Sequence, residues 1–459
     1  MVLYVFAGIL LLSTLAYFAG SRRSLASVDN KASELHSRPG YYGSFVAAWV
    51  GIPSFLIVLI WLLLQGPVID TLLVASLPDE KVAGLTDAQI SLILSEIKQV
   101  SRGNIFGQPD QAVLDAAVRY QSWQQIASWS MVAAILSLCV VALLVARSRI
   151  NPEFRARQQV ERISNWLMIA CSVIAILTTV GIVISLLIEA LRFFNLVSPL
   201  EFFFGLSWEP QIALRADQSI GEGAFGAIPV FLGTLQIAFF AMLVSIPIGL
   251  FTAIYLTEYA NPGFRSVVKP IIEILAGIPT VVYGFFAILV VAPAFRDFMA
   301  MLGIDAAPNS AFVAGAVMGI MIIPFISSLS DDAITAVPRS LRDGSYALGA
   351  TQAETIMSVL LPAALPGIMG GILLAVSRAI GETMIVVMAA GIIATLTMNP
   401  LEPVTTVTVQ IVTLLIGDTE FDSPKTLAAF ALGLVLFVAT LFLNVIALRI
   451  VQKYRERYD

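Results

Sequence analysis

Apolar residues run along this chain in long unbroken blocks, without the alternation of a half-buried strand or the three-and-four spacing of a soluble amphipathic helix. Blocks of about 18 to 25 residues can cross a hydrocarbon core about 30 Å thick as α-helices. They fall at roughly 2–20, 43–65, 126–146, 166–190, 228–257, 271–294, 311–328, 366–394 and 427–448. The pattern therefore predicts an all-α polytopic membrane protein with about nine transmembrane helices.

Two polar intervals have patterning of their own. In 66–125, Thr86 and Gln89 are spaced as a capping box, Ile90, Ile93, Leu94 and Ile97 repeat at helical spacing, and Gly103 offers a stop. A second helix is expected from Pro109 to Gln124. About 60 residues is small for an independent core, so this interval reads as a helical hairpin packed on other helices or on a partner. The second interval, SLRDGSYALGATQAETIMSVLLPAALPG at 340–367, predicts a short amphipathic helix. Tyr346, Leu348, Ile356, Val359 and Leu360 give it one apolar side, Gly349 breaks it near the middle, and Pro362 and Pro366 limit its continuation. Such a face needs cover, from the lipid surface and bundle or from another protein.

Composition agrees with the pattern: 58% of residues are hydrophobic and 12% charged, against about 25% charged in soluble domains. The net charge of -5 says less than where the charges lie. With the C-terminal RIVQKYRERYD in the cytoplasm and the N-terminus outside, most of the 26 lysines and arginines fall on the cytoplasmic side. The first apolar block reads as an uncleaved anchor, because Arg22 and Arg23 follow it instead of preceding it. Cys139 and Cys171 lie inside apolar blocks, so no disulfide framework is expected, and the one histidine, His36, argues against a metal site or a histidine-based catalytic centre. No lysine follows a glycine, so the G-x-x-x-x-G-K-[ST] phosphate loop is missing. The chain is expected to be no enzyme, to bind no cofactor itself and to have no nucleic-acid partner.

Chemistry concentrates in SRAIGETM, 377–384. Arg378 lies about twelve residues past Pro366, or roughly 18 Å along a helix, near mid-membrane. A central Arg or acidic residue costs roughly 2.5 to 3.5 kcal/mol to insert, so each must be paired, hydrated or both. The four-residue spacing predicts Arg378 and Glu382 on one helical face, with Gly381 between them admitting a close neighbour. Either the two form an ion pair that fixes packing, or they line a path in which the guanidinium meets a tetrahedral oxyanion. In the second case Glu382 orients Arg378 or accepts a hydrogen bond from a protonated oxyanion. Pro279 and Gly284 suit a kinked helix or a hinge beside the path. Asp331 and Asp332 read as solvated charges at a helix end, and Glu273 and Asn444 as interhelical hydrogen-bonding groups.

These motifs carry a resemblance. The 340–367 interval is similar to the EAA loop of ATP-binding-cassette importer permeases: Asp343-Gly344-Ser345, three residues, Gly349, nine residues, then Val359-Leu360-Leu361-Pro362. The spacing matches throughout, while Gly344 and Ser345 depart from the family's two alanines. SRAIGETM, with GIPTVVYGFF at 277–286 and FFFGLSWEP at 202–210, resembles the PstC-type permease subunits of phosphate importers. Sulfate and molybdate permeases carry a related Arg-Ala-x-Gly-Glu stretch, usually followed by Phe-Gly where this chain has Thr383-Met384. The resemblance covers about 164–455 and implies a permease domain at 164–459 with six core helices, preceded by a 1–163 extension of three helices and the external segment. It further implies a bacterial inner-membrane location, a PstA-like second permease, two cytoplasmic PstB-like ATPase subunits carrying ATP and Mg, and a periplasmic PstS-like phosphate-binding protein. Arg378, Glu382 and Thr383 would line the substrate path, and Asp343, Gly344, Ser345, Gly349, Leu361 and Pro362 would couple it to the ATPase. A sulfate or molybdate importer is the neighbouring alternative. A secondary transporter independent of ATP would leave the 343–362 loop without a role.

Overall fold

The computed structural model describes residues 2–77, 87–103, 110–210, 224–416 and 423–454. Among them, nine helices are long and apolar enough to cross a membrane. The chain divides into two compact units, Met1–Ile176 and Leu177–Asp459.

The first unit is built on α1 (Val2–Ala26), α2 (Pro39–Ala75), α3 (Asp87–Ser101) and α4 (Gln111–Ser148), followed by the start of α5 (Ala156–Leu196). Its core sets Tyr42, Phe45, Val46 and Val50 of α2 against Ile9 and Ala16 of α1 and Met131, Ile135 and Cys139 of α4. The 37 residues of α2 and 38 of α4 give helices of about 55 Å, well beyond a hydrocarbon core of about 30 Å. Their overhanging ends bury Leu73, Val113, Ala116 and Ala117 against Ile97 of α3, and Lys98 Nζ donates to Asp70 Oδ2 at 2.8 Å. The 66–125 interval is thus made largely of extensions of two spanning helices, closed by a third. No breaker separates the helix expected at 109–124 from the next apolar block, so the two are one element. Thr86 of the expected capping box and Pro109 lie outside the described residues.

The second unit continues from α5 through α6 (Pro199–Phe204) and a two-residue antiparallel pairing of β1 (Trp208–Glu209) with β2 (Ala224–Phe225). There follow α7 (Ile228–Ile254), α8 (Pro262–Ala276), α9 (Thr280–Phe286), α10 (Ala292–Met301) and α11 (Ala311–Thr335). Then come α12 (Arg339–Ala347), α13 (Gln352–Thr355), α14 (Leu361–Ile380), α15 (Met384–Ala389), α16 (Val407–Leu415) and α17 (Pro424–Tyr454). Small residues in AFVAGAVMG let α11 run through the centre, where Val317, Met318, Met321 and Ile322 meet Ile237 and Ala241 of α7 and Ala375 and Ala379 of α14. Three π-helical turns, Tyr255–Tyr259, Ala287–Val291 and Ile356–Leu360, interrupt the long helices.

Three expectations are corrected here. The block at 271–294 is two elements, since Gly277, Ile278 and Pro279 separate an amphipathic helix with no buried residue from the spanning one. The block at 366–394 is displaced: the spanning segment is Gln352–Ile380, and the chain breaks after it. Pro362 and Pro366 do not stop the helix, because Pro362 follows the π turn in the first turn of α14 and Pro366 sits within it.

Candidate translocation site and coupling region

Helix α14 ends at Ile380, two residues after Arg378. Gly381 is its C-cap, Glu382 and Thr383 lie outside any helix, and α15 begins at Met384 with Thr383 as its N-cap. Arg378 and Glu382 therefore do not share a helical face, and no ion pair joins them among the described residues. Glu382 turns to the following helix: its Oε1 accepts from the amides of Met384 at 3.1 Å and Ile385 at 3.4 Å. Its carbonyl accepts from Thr408 Oγ1 at 2.7 Å, which pins the break to α16. Thr406 in turn caps α16 through Val409 N, and its hydroxyl lies 3.0 Å from that of Thr408. Neither α15 nor α16 is long enough to span, so the chain here is a non-spanning excursion tied down at both ends.

Arg378 is left exposed on a spanning segment, with its guanidinium carbon 5.9 Å from the centroid of the Phe325 ring of α11. A cation in the last turn also suits the negative end of the α14 dipole. Thr383 is half-buried, its hydroxyl 3.5 Å from the Gly381 carbonyl. Beside this break, Gly284 of α9 lies against α15: a Cβ there would come 2.6 Å from Met388 Sδ and 3.3 Å from the Met384 carbonyl. Pro279 caps α9 at the far side of the Gly277–Pro279 gap, where Tyr283 Oη donates across it to the Leu275 carbonyl at 2.8 Å. On the same excursion, Gln410 accepts from Trp208 Nε1 at 2.9 Å and donates to the Ile392 carbonyl.

The 340–367 loop is not one amphipathic helix. Gly349 stands at φ +86 between α12 and α13, a left-handed conformation open to glycine and costly for side chains with a Cβ. The turn separates the expected apolar side into two sets. Ile356 and Leu360 are buried with Ile334, Val337 and Ala364 and Val359 is half-buried, whereas Tyr346 and Leu348, the latter 92% exposed, lie open at the tip before Gly349. Asp343, Gly344, Gly349 and Pro362 are exposed, and Ser345 and Leu361 are half-buried. Ser345 and Thr355 hydroxyls, 2.9 Å apart, tie the two arms together, and Thr351 with Glu354 makes a capping box at α13.

Asp331 is not a solvated charge. Its carboxylate, 6% exposed, takes hydrogen bonds from Arg265 Nη2 at 2.8 and 3.0 Å, Lys269 Nζ at 2.6 Å and Thr257 Oγ1 at 2.6 Å. The hydrogen bond to Asp331 raises the Lys269 ammonium above its ordinary range. Next to Thr257, Glu258 pairs with Arg342 of α12 at 2.9 Å, and its carbonyl accepts from Gln352 at 2.6 Å. The sequence signal for this cluster was Arg265 and Lys269 at four-residue spacing on one short helix, beside an acid inside a spanning one. Glu273 is exposed at the edge of a small cavity beside Lys269 and Asp331, and Asn444 Oδ1 is buried without a hydrogen-bond partner among the described residues.

A multi-helix membrane unit with a helix break beside an exposed arginine and a two-armed loop fits the membrane subunit of a transporter. The family described as phosphate ATP-binding cassette transporter matches residues 6–178, and that described as binding-protein-dependent transport system inner membrane component matches 245–456. The "Probable ABC transporter permease protein YqgH" of Bacillus subtilis is 35% identical over 305 residues, 66% of this chain and 94% of that protein. The "Phosphate transport system permease protein PstC" of Xylella fastidiosa is 32% identical over 263 residues, 54% and 76% of the two chains. A PstC 1 of Mycobacterium tuberculosis is 30% identical over 313 residues, 63% and 92%. The chain belongs to the PstC family of binding-protein-dependent ABC importer permeases. It is a multi-pass transmembrane subunit of an ABC importer.

Proposed function

We propose that this chain forms half of the transmembrane path of an ATP-driven phosphate importer, with Arg378 as the residue that meets the oxyanion. The observation that carries the reading is the exposed guanidinium of Arg378 beside a helix break in which Glu382 is occupied as a cap. An uncompensated cation on a spanning segment is costly unless water, substrate or a second subunit covers it. A guanidinium suits a tetrahedral oxyanion through two parallel hydrogen bonds. Thr383 follows the cap and supplies a hydroxyl on the break, and Gly284, packed on α15, forms a hinge with Pro279 at the start of the same helix. The partners on this reading are a PstA-like permease, two PstB-like ATPases that carry ATP and Mg, one of them docked on the 340–367 loop, and a PstS-like binding protein. The N-terminus lies outside and the C-terminus in the cytoplasm of the bacterial inner membrane.

The test is co-purification with the ATPase and reconstitution in vesicles. Hydrolysis that rises with phosphate-loaded binding protein, and uptake that stops without ATP, are expected. Uptake that persists in ATP-depleted vesicles and follows an ion gradient would overturn the reading, and competition by sulfate or molybdate at phosphate-like concentrations would reassign the substrate.

A further inference from the structure

The π turn Tyr255–Tyr259 presents two neighbouring residues to two different partners. Thr257 joins Asp331, whose carboxylate is saturated by Arg265, Lys269 and Thr257 itself. That node welds α7, α8 and α11 together. Glu258 joins Arg342 of α12, and here the satisfaction is poor: Arg342 Nη2 stands 2.9 Å from Glu258 Oε1. Yet neither that oxygen nor Arg342 Nε has a hydrogen bond of acceptable geometry among the described residues. Glu258 is 4% exposed and Arg342 23%, so the pair bears a desolvation cost without the hydrogen bonds that offset it. Burial of that kind is weak evidence for stability and suits a contact that changes between states.

We infer that the π turn is a joint with one fixed and one exchangeable side: the Glu258–Arg342 pair opens and re-forms as α12 moves, while the Asp331 node stays intact and passes the motion to α11. The same helix bears on the candidate translocation site less than two turns from Asp331, because α11 carries Phe325, whose ring faces the Arg378 guanidinium. π turns are widened segments that often mark functional positions, and a widened turn can absorb a shift that a regular turn would break. Glu258 and Arg342 are positioning residues that touch no substrate. The inference rests on the proposed ATP-driven function, so ATP-driven uptake by the unmodified complex is established first; its failure would concern that function and not the joint.

The experiment places Glu258→Cys with Arg342→Cys, and separately Asp331→Cys with Lys269→Cys, in complete complexes whose Cys139 and Cys171 are replaced by serine. Each is treated with a short bis-thiosulfonate reagent in the nucleotide-free and the ATP-trapped states. Cross-linking of the first pair should change several-fold between states while the second stays constant. Equal yields for the first pair in both states, or no cross-link in either, would overturn the inference, as would a state dependence shared by both pairs. In a chain with native cysteines, Glu258→Gln should leave ATPase binding and hydrolysis in place but lower phosphate moved per ATP by about tenfold. An unchanged ratio, or uptake and hydrolysis falling in parallel, would count against the joint.

Discussion

Replacing Glu382 separates its two conceivable duties, holding the helix break and serving the substrate. Its Oε1 accepts from two amides at 3.1 and 3.4 Å. Both bonds are charge-assisted but long, so about 1 kcal/mol each is a fair measure. Glu382→Ala then removes about 2 kcal/mol from the start of α15, which is about a thirtyfold loss of local protection. Glu382→Gln keeps an acceptor oxygen without the charge; retaining about half the energy, it should lose only about fivefold. Hydrogen–deuterium exchange on a peptide covering 380–390, within the assembled complex, reads these values directly at the Met384 and Ile385 amides. Uptake is measured alongside: Glu382→Gln should transport far better than Glu382→Ala. Unchanged protection in Glu382→Ala would refute the cap. A transport-dead Glu382→Gln with protected amides would show that the charge itself serves the ion.

Arg378→Lys keeps the cation but loses the planar fork, so uptake should fall strongly while the ATPase still co-purifies; near-normal uptake would remove the guanidinium from the mechanism. Gly349→Val should strain the φ +86 turn by about 1–2 kcal/mol and weaken ATPase binding, whereas Gly349→Asn, which tolerates that backbone, should bind nearly as the parent does in a pull-down. Gly233→Ala would drive a methyl into the Thr405 carbonyl, a backbone atom that cannot swing aside. The thermal midpoint of the complex should fall, by the equivalent of about 1–3 kcal/mol, and an unchanged midpoint would contradict the close approach of α7 to the segment leading into α16.

The nine spans were legible because lipid demands long apolar blocks, and length alone separates them from soluble elements. What was not legible was where a block ceases to be helix. Gly277-Ile278-Pro279 and Gly381-Glu382-Thr383 sit inside apolar stretches, and hydropathy does not register a gap of three residues. Gly381 followed by an acid could have been read as a stop and a restart, which would have moved Glu382 from the face of Arg378 to the head of the next helix. Asp331 was misjudged for another reason: its partners, Thr257, Arg265 and Lys269, are 62 to 74 residues away in sequence, and only the fold of α7, α8 and α11 brings them together. The spacing of the 340–367 loop was readable, but its apolar residues divide between core and surface because Gly349 reverses the chain, a backbone fact that a helical wheel conceals.

The π turn at Ile356–Leu360 and Arg378 lie on one spanning segment, Gln352–Ile380, with the loop tip just before it. A regular helix advances about 100° per residue, and a π turn takes up one more residue for nearly the same rotation. The surplus residue is thus absorbed locally, about twenty positions before the arginine, and the bearing of the arginine relative to the loop is kept. Removing Met357 would let the backbone close into an ordinary α-helix with Arg378 facing the same way, whereas removing Leu373 from the regular part of α14 would turn Arg378 about a quarter of the way around its axis.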